Sequence, residues 1–205
     1  MLLTKTTFWK DIISMSIYIL AITCGIIAYL IGSNNWAYLI AKINGVDIVK
    51  TGTGNPGAAN VYREISPIAG ISVFIADLFT GSLVFLTRLS WIEEGSQALL
   101  LITASVMIMI GTAYPLFRFK TGGTGLAKSI GIIFAINPLA FLISGIIALL
   151  FLLKTKNTGV SGALAIFISC ILTFISSDIV GGIVIIIVAT LLAARTKIQY
   201  NTLFD

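Results

Sequence analysis

The 205-residue chain contains no histidine. That absence excludes any mechanism built on an imidazole base and removes the usual nitrogen ligands of zinc. Cysteine is almost as scarce. Cys24 and Cys170 each stand alone inside an apolar run. They read as buried packing residues, so no disulfide, no metal and no cofactor is expected. Charge is the third shortage. Only 10% of the residues are charged, against about 25% in soluble domains. Such a chain cannot cover its own apolar surface with polar side chains. A secretory leader is also not indicated. The first long apolar run, Ile12 to Ile31, is longer than a leader core and no small-residue cleavage site follows it.

What the chain does have is hydrocarbon: 58% of residues are hydrophobic and the mean hydropathy is +1.05. This composition predicts an all-α integral membrane helical bundle, a single transmembrane domain over 1–205 preceded by a short N-terminal segment, 1–11. The net charge of +5 then reads as bases facing anionic lipid and not as a nucleic-acid surface. Apolar runs at 12–33, 66–88, 97–117, 125–137, 138–153, 160–176 and 179–194 predict about seven spans. The run 125–153 is either one helix or two short ones broken at Asn137-Pro138, because proline removes a donor and disfavours helix before it.

Charge decides between these. With seven spans, one side carries Lys42, Lys50, Arg63, Arg118, Lys120, Lys128, Lys154, Lys156, Arg195 and Lys197, and the other only Lys5, Lys10 and Arg88. Merging the middle spans moves the last four bases across and erases the asymmetry. Bases collect on the cytoplasmic side, so the expected topology has the N-terminus outside and the C-terminus cytoplasmic. Glu93 and Glu94 are then the main charges of the outer face. Trp9 and Trp91 fall near the outer interface and Trp36 near the inner one. The polar segments 34–64 and 118–128 become cytoplasmic functional loops in the cell membrane.

Two of these segments have the make-up of a ligand site. In "DIVKTGTGNPGAANVYR", residues 47–63, glycines expose backbone N–H groups and Asn55-Pro56-Gly57 signals a turn. A 31-residue connection without function would be unusual in a compact bundle. In "FRFKTGGTGLAK", residues 117–128, Gly122, Gly123 and Gly125 precede a helix, with Arg118, Lys120 and Lys128 beside them. That pattern suits an anion such as phosphate, and it also suits an ordinary basic turn. Asp77 lies within a span, where a carboxylate either organises the interior or binds a ligand. Gly32-Ser33 ends the first run, and either terminates a helix or permits close packing.

Together these stretches resemble the PlsY family of membrane acyl-phosphate:glycerol-3-phosphate acyltransferases. "IIAYLIGSNNWAYLIAK" looks like that family's opening span. "GTGNPGAANVYR" resembles its motif GSGNPGATNVxR, "ADLFTGS" its D-x-x-K-G segment, and "GTAYPLFRFKTGGTGLAKSIG" its GHxFPvf…GGKGxAT pair. "KNTGVSGALA" resembles the segment before its sixth span. Several polar positions depart from the patterns. Thr53 stands for the motif serine and Ala59 for its threonine. Val49 stands for an arginine, with Lys50 next to it. Thr80 and Thr124 stand for lysines, Thr112 for a histidine. At the C-terminal motif, HRxNIxRLxxGxE, Arg195 and Ile198 are kept, while Ala194, Lys197 and Tyr200 replace histidine, asparagine and arginine.

The resemblance implies an acyltransferase of phospholipid synthesis that acts at the cytoplasmic face on acyl phosphate and glycerol 3-phosphate, among membrane lipids. It implies catalytic roles for Thr53, Asn60 and Arg63. It implies substrate or phosphate binding by Ser33, Gly54, Asn55, Gly57, Asp77, Lys120, Gly122, Gly123, Gly125, Lys128, Ser161 and Arg195. The replaced histidines leave a second expectation: a catalytically impaired relative that binds a phosphorylated lipid or assists a partner enzyme. A small transporter fits less well, because the polar residues gather at one face and form no track across the bilayer.

Overall fold

The computed structural model describes residues 2–89, 94–116 and 122–201. Trp91, Glu93, Arg118 and Lys120 lie outside the described residues, as do the side chains of Lys5, Trp9, Lys10 and Glu94. The described residues are all helix and connection. The helices are α1 (Leu2–Gly32), α2 (Trp36–Ile43), α3 (Ala58–Glu64), α4 (Pro67–Ser82), α5 (Glu94–Ala113), α6 (Leu126–Ile136), α7 (Pro138–Thr155), α8 (Thr158–Ile175) and α9 (Ile179–Asn201); a 3-10 segment, Leu83–Arg88, extends α4.

Five stretches are long and apolar enough to cross a bilayer: Ser16–Ile43, Pro67–Arg88, Gly95–Ala113, Pro138–Thr155 and Ile179–Gln199. α6 and α8 are shorter apolar helices. Their outward faces carry bare hydrocarbon. Ile68 is 78% exposed and Ile175 72%, a surface that lipid covers and water would not. The break at Asn137-Pro138 is present. α6 stops at Ile136, Pro138 occupies the first position of α7, and the Asn137 side chain accepts a hydrogen bond from the Ala140 N–H at 2.9 Å. Proline has no N–H to lose there, and asparagine satisfies one of the free donors of the new helix.

The first span differs from expectation. The sequence predicts 12–33 followed by one long loop. Instead the span is interrupted at Ser33–Asn35 and resumes as α2, capped by Asn35, whose Oδ1 accepts from the Tyr38 N–H at 2.9 Å. The rest of the expected loop is a tight coil, 44–57, followed by α3. These parts bury Ala37, Ala41, Ile48 and Val61 in a small core against Val73 of α4. A hydrophobic cluster within 34–64 was hidden because its helices are only two turns long.

The main core lies where α5, α6 and α9 meet, around Ile108, Met109, Ile132, Ile133, Val184, Ile185 and Val188. In lipid, hydrophobicity alone does not drive helices together, so close packing must. Glycine provides it twice. A Cβ on Gly32 would press on the Ile108 backbone, and one on Gly111 on the Tyr29 carbonyl. A Cβ on Gly81 would press on the Lys128 carbonyl, and one on Gly131 on that of Leu78. α1 therefore seats on α5, and α4 on α6, backbone to backbone.

Polar groups collect at two ends. At one, the Arg88 guanidinium donates to Ile136 O at 3.1 Å and to Asp178 Oδ2 at 2.8 Å, while Asp178 Oδ1 accepts from the Gly181 N–H. Asn137 Nδ2 donates to Ser176 Oγ there as well. The ends of the 3-10 segment and α6 thus meet the start of α9. At the other end lie Gly32, Thr112, Gly122 and Arg195. This segregation matches the alternation of the seven-segment topology.

Candidate active site

Asn60 organises the first loop. It is 2% exposed. Its Oδ1 accepts from the Thr53 N–H at 3.1 Å, and its Nδ2 donates to Thr51 O at 2.9 Å and Ile48 O at 3.3 Å. One side-chain amide thus fastens 48–53 over the first turn of α3. The coil takes positive φ at Gly52 (59°) and Gly54 (66°), which glycine adopts without strain. Gly57 caps α3 through its backbone. The Thr53 and Arg63 side chains are exposed on this loop and helix. Thr53 Oγ1 accepts weakly from the Asn55 N–H at 3.4 Å. Lys50 is a surface residue paired with Asp47 at 3.5 Å.

The second glycine segment meets the first loop. A Cβ on Gly123 would stand 3.1 Å from Pro56 O and 3.7 Å from Asn55 Oδ1. Gly122 abuts the Ala113 and Thr112 carbonyls, and its own carbonyl accepts from Arg195 Nη2 at 2.9 Å. The Arg195 guanidinium also stacks over the Tyr114 ring, 5.2 Å from its centre. Gly125 turns the chain into α6 with φ 88°. Segments more than 60 residues apart in the chain therefore meet at this end of the bundle. Two buried polar atoms there have no hydrogen-bond partner among the described residues: Asn55 Oδ1 and Arg195 Nε. One is an acceptor and the other a donor. Buried polar groups are normally paired; Ser105 Oγ and Thr173 Oγ1, inside the helices, are unpaired in the same way.

Beside Arg195 is a cavity of ≈ 100 Å³ lined by Met109, Ala113, Tyr114, Thr124, Leu191 and Ala194, among others. Thr124 and Ala194 are the positions at which the resembling motifs carry lysine and histidine. Smaller side chains at both leave this space open.

Lys128 has contacts unlike those of a phosphate ligand. Its Nζ donates to Gly32 O at 2.9 Å and Asn34 O at 2.8 Å, and lies 3.4 Å from Asp77 Oδ1. The two side chains are 3% and 15% exposed. All three ammonium protons are engaged within the protein. Asp77, expected to organise the interior or bind a ligand, is the counter-ion of this lysine. Thr112 donates to Gly32 O at 3.3 Å and Ile108 O at 2.7 Å, and Trp36 Nε1 donates to Thr80 Oγ1 at 3.0 Å. Ser33 Oγ bonds back to Tyr29 O at 2.8 Å within its own helix. Ser161 is buried and donates to Asn157 O at 2.7 Å. Gly162 beside it packs on Leu126, so α8 begins near the start of α6. Sequence reasoning missed the Lys128–Asp77 pairing and the Arg88–Asp178 bridge. Neither has a local signal beyond an ionisable residue inside an apolar run.

The fold and this meeting place define a class: an integral membrane protein whose glycine-rich segments and basic residues meet at one end of the bundle, as suits phosphorylated lipid precursors. The comparisons make the class specific. The family model described as glycerol-3-phosphate acyltransferase matches residues 22–204. The chain is 30% identical over 171 residues to the glycerol-3-phosphate acyltransferase of Thermotoga petrophila, covering 83% of this chain and 86% of that one. It is 33% identical over 173 residues to that of Latilactobacillus sakei, covering 84% and 83%. The crystal structure of PlsY, an integral membrane glycerol 3-phosphate acyltransferase, in its glycerol 3-phosphate form superposes with a TM-score of 0.77 at 27% identity, over 90% of this chain and 92% of that one. Its lysophosphatidic acid form gives 0.76 at 28% identity. The chain belongs to the glycerol-3-phosphate acyltransferase family of the PlsY type, enzymes of phospholipid biosynthesis in the cell membrane.

Proposed function

We propose that this enzyme transfers an acyl group from acyl phosphate to the 1-hydroxyl of glycerol 3-phosphate at the cytoplasmic face, releasing lysophosphatidate and inorganic phosphate. The convergence of Asn55, Gly123 and Arg195, with one acceptor and one donor left unpaired, is the observation that carries this reading. Asn55 Oδ1 suits a substrate hydroxyl. Arg195 and the exposed Arg63 suit phosphate, and the glycine backbone lets both approach closely. Thr53, Gly54 and Gly57 shape the loop beside them. Gly122 borders the same segment, and Ser161 supports the start of α6; Lys120 remains assigned to phosphate by the motif alone.

The chemistry balances without a protein base. The 1-hydroxyl oxygen attacks the acyl carbonyl carbon. The bond from that carbon to the phosphate oxygen breaks, and phosphate leaves with the electron pair and takes up the hydroxyl proton. Acyl phosphate is already activated, so holding the two anions in line supplies the acceleration. Purified enzyme in detergent or proteoliposomes, given both substrates, is expected to form lysophosphatidate and phosphate in equal amounts. No lysophosphatidate above background in several detergents and lipids refutes the reading. Binding of a phosphorylated lipid without turnover would instead identify the impaired relative that the replaced histidines allow.

A further inference from the structure

The break at Ser33–Asn35 creates a problem that the chain must solve. Ser16–Ile43 is a single apolar stretch long enough to cross a bilayer, yet its helix is interrupted between Gly32 and Trp36. Interrupting a helix leaves carbonyl groups without their helical donors, and a buried one must find another. The break frees the Gly32 and Asn34 carbonyls, the first of them on a buried residue. Both point at Lys128 Nζ, at 2.9 and 2.8 Å, and Asp77 balances the charge. Gly32 O takes a second bond from Thr112. Gly81 on α4 is pressed against the backbone of Lys128 on α6, so positions 80 and 128 adjoin across that contact. The GGKGxAT pattern that Gly122–Lys128 resembles has threonine at its last position. The D-x-x-K-G pattern that Asp77–Gly81 resembles has lysine where this chain has Thr80. The resemblance thus implies an exchange of lysine and threonine across one helix contact, beside Asp77.

We propose that Lys128 is a positioning residue that holds the interrupted first span, and through Trp36 and α2 the substrate loop, against α4 and α6, and that it does so in place of a lysine at position 80. The inference rests on the acyltransferase reading for its kinetic readout. Trp36 Nε1 on Thr80 ties the start of α2 to the same point. The Lys128 cation is already neutralised by Asp77, so its contribution is geometric and not attraction of substrate phosphate.

The test is a double-mutant cycle on the full chain in detergent: Lys128→Thr, Thr80→Lys and the transposed pair, with Lys128→Met as an isosteric control. Melting temperature and the kcat and KM for glycerol 3-phosphate are measured for each. Lys128→Met and Lys128→Thr are expected to melt lower and, in their folded fraction, to show KM raised roughly tenfold or more. Thr80→Lys alone buries a second cation and melts lower. The transposed pair is expected to regain wild-type melting and a KM within about threefold, a coupling that independent sites do not show. A transposed pair no better than Lys128→Thr, or a Lys128→Met enzyme with wild-type KM, overturns the proposal. If wild-type protein makes no lysophosphatidate, the acyltransferase reading has failed by itself. Recovery of melting temperature in the transposed pair then still decides the exchange.

Discussion

Replacing Asn60 by aspartate separates holding the loop from doing chemistry. The change is isosteric and keeps the acceptor for the Thr53 N–H. It removes both donors and turns a carboxylate toward the Thr51 and Ile48 carbonyls. Each buried carbonyl left unpaired costs about 1–3 kcal/mol. The Ile48 side chain is 0% exposed, and that residue lies inside the small core; Thr51 is half-buried, and water reaches its side. A combined loss of about 2–3 kcal/mol follows, and at 1.4 kcal/mol per tenfold it lowers the closed-to-open ratio of the loop by roughly thirtyfold to a hundredfold. Asn60→Asp is therefore expected to lose up to about thirtyfold to a hundredfold in kcat/KM and to be cut roughly thirtyfold or more faster by protease within 50–54, where cleavage tracks the open fraction. Asn60→Ala is expected to be milder, because it adds no repulsion between oxygens. An Asn60→Asp enzyme with wild-type kcat/KM and unchanged cleavage refutes the argument that this amide positions the substrate loop.

Three further outcomes follow from the geometry. Gly131→Ala puts a methyl against the Leu78 carbonyl and is expected to cost about 1–3 kcal/mol of overpacking, read as a lower melting temperature in detergent. Gly123→Ala must push Pro56 away by a few tenths of an ångström; it is expected to raise both substrate KM values by about tenfold with little change in melting. Arg88→Met leaves Asp178 Oδ2 and Ile136 O without the guanidinium donor, while Asp178 Oδ1 keeps the Gly181 N–H. A loss of about 2 kcal/mol is expected, less than for a fully buried pair because the arginine side chain is 32% exposed. Activity at the far end stays unchanged in the folded fraction.

The sequence and the structure agree best where the signal is local. Proline at 138 after asparagine announces both the end of one helix and the cap of the next, and the charge asymmetry required the break there. The glycines and Asn55-Pro56 announce a turn, and the turn is present. What could not be read depends on groups far apart in the chain. Lys128 finds its partners 94 and 96 residues away, so within 117–128 it looks like one more loop base. Asn60 reads as a site residue from its motif, while its burial and three bonds give it a structural load. α2 was hidden for a different reason. Eight residues form too short a period to stand out, and an interruption at Ser33–Asn35 resembles the end of a span until the tertiary partner of its carbonyls is known.

The shortness of α6 fixes the depth at which the proposed reaction takes place. Eleven residues rise about 16 Å, roughly half of a hydrocarbon core near 30 Å. The opposite end of α6 meets Arg88 and Asp178, and its beginning is level with Leu78 to Ser82 of α4; a core flush with the opposite end would enclose that beginning. Gly122–Gly125 leads into it without regular secondary structure. An acyl chain rooted in the leaflet can thus present its carbonyl to this segment without rising into water. In the proposed reaction it is then the soluble dianion that travels, and the lipid that stays.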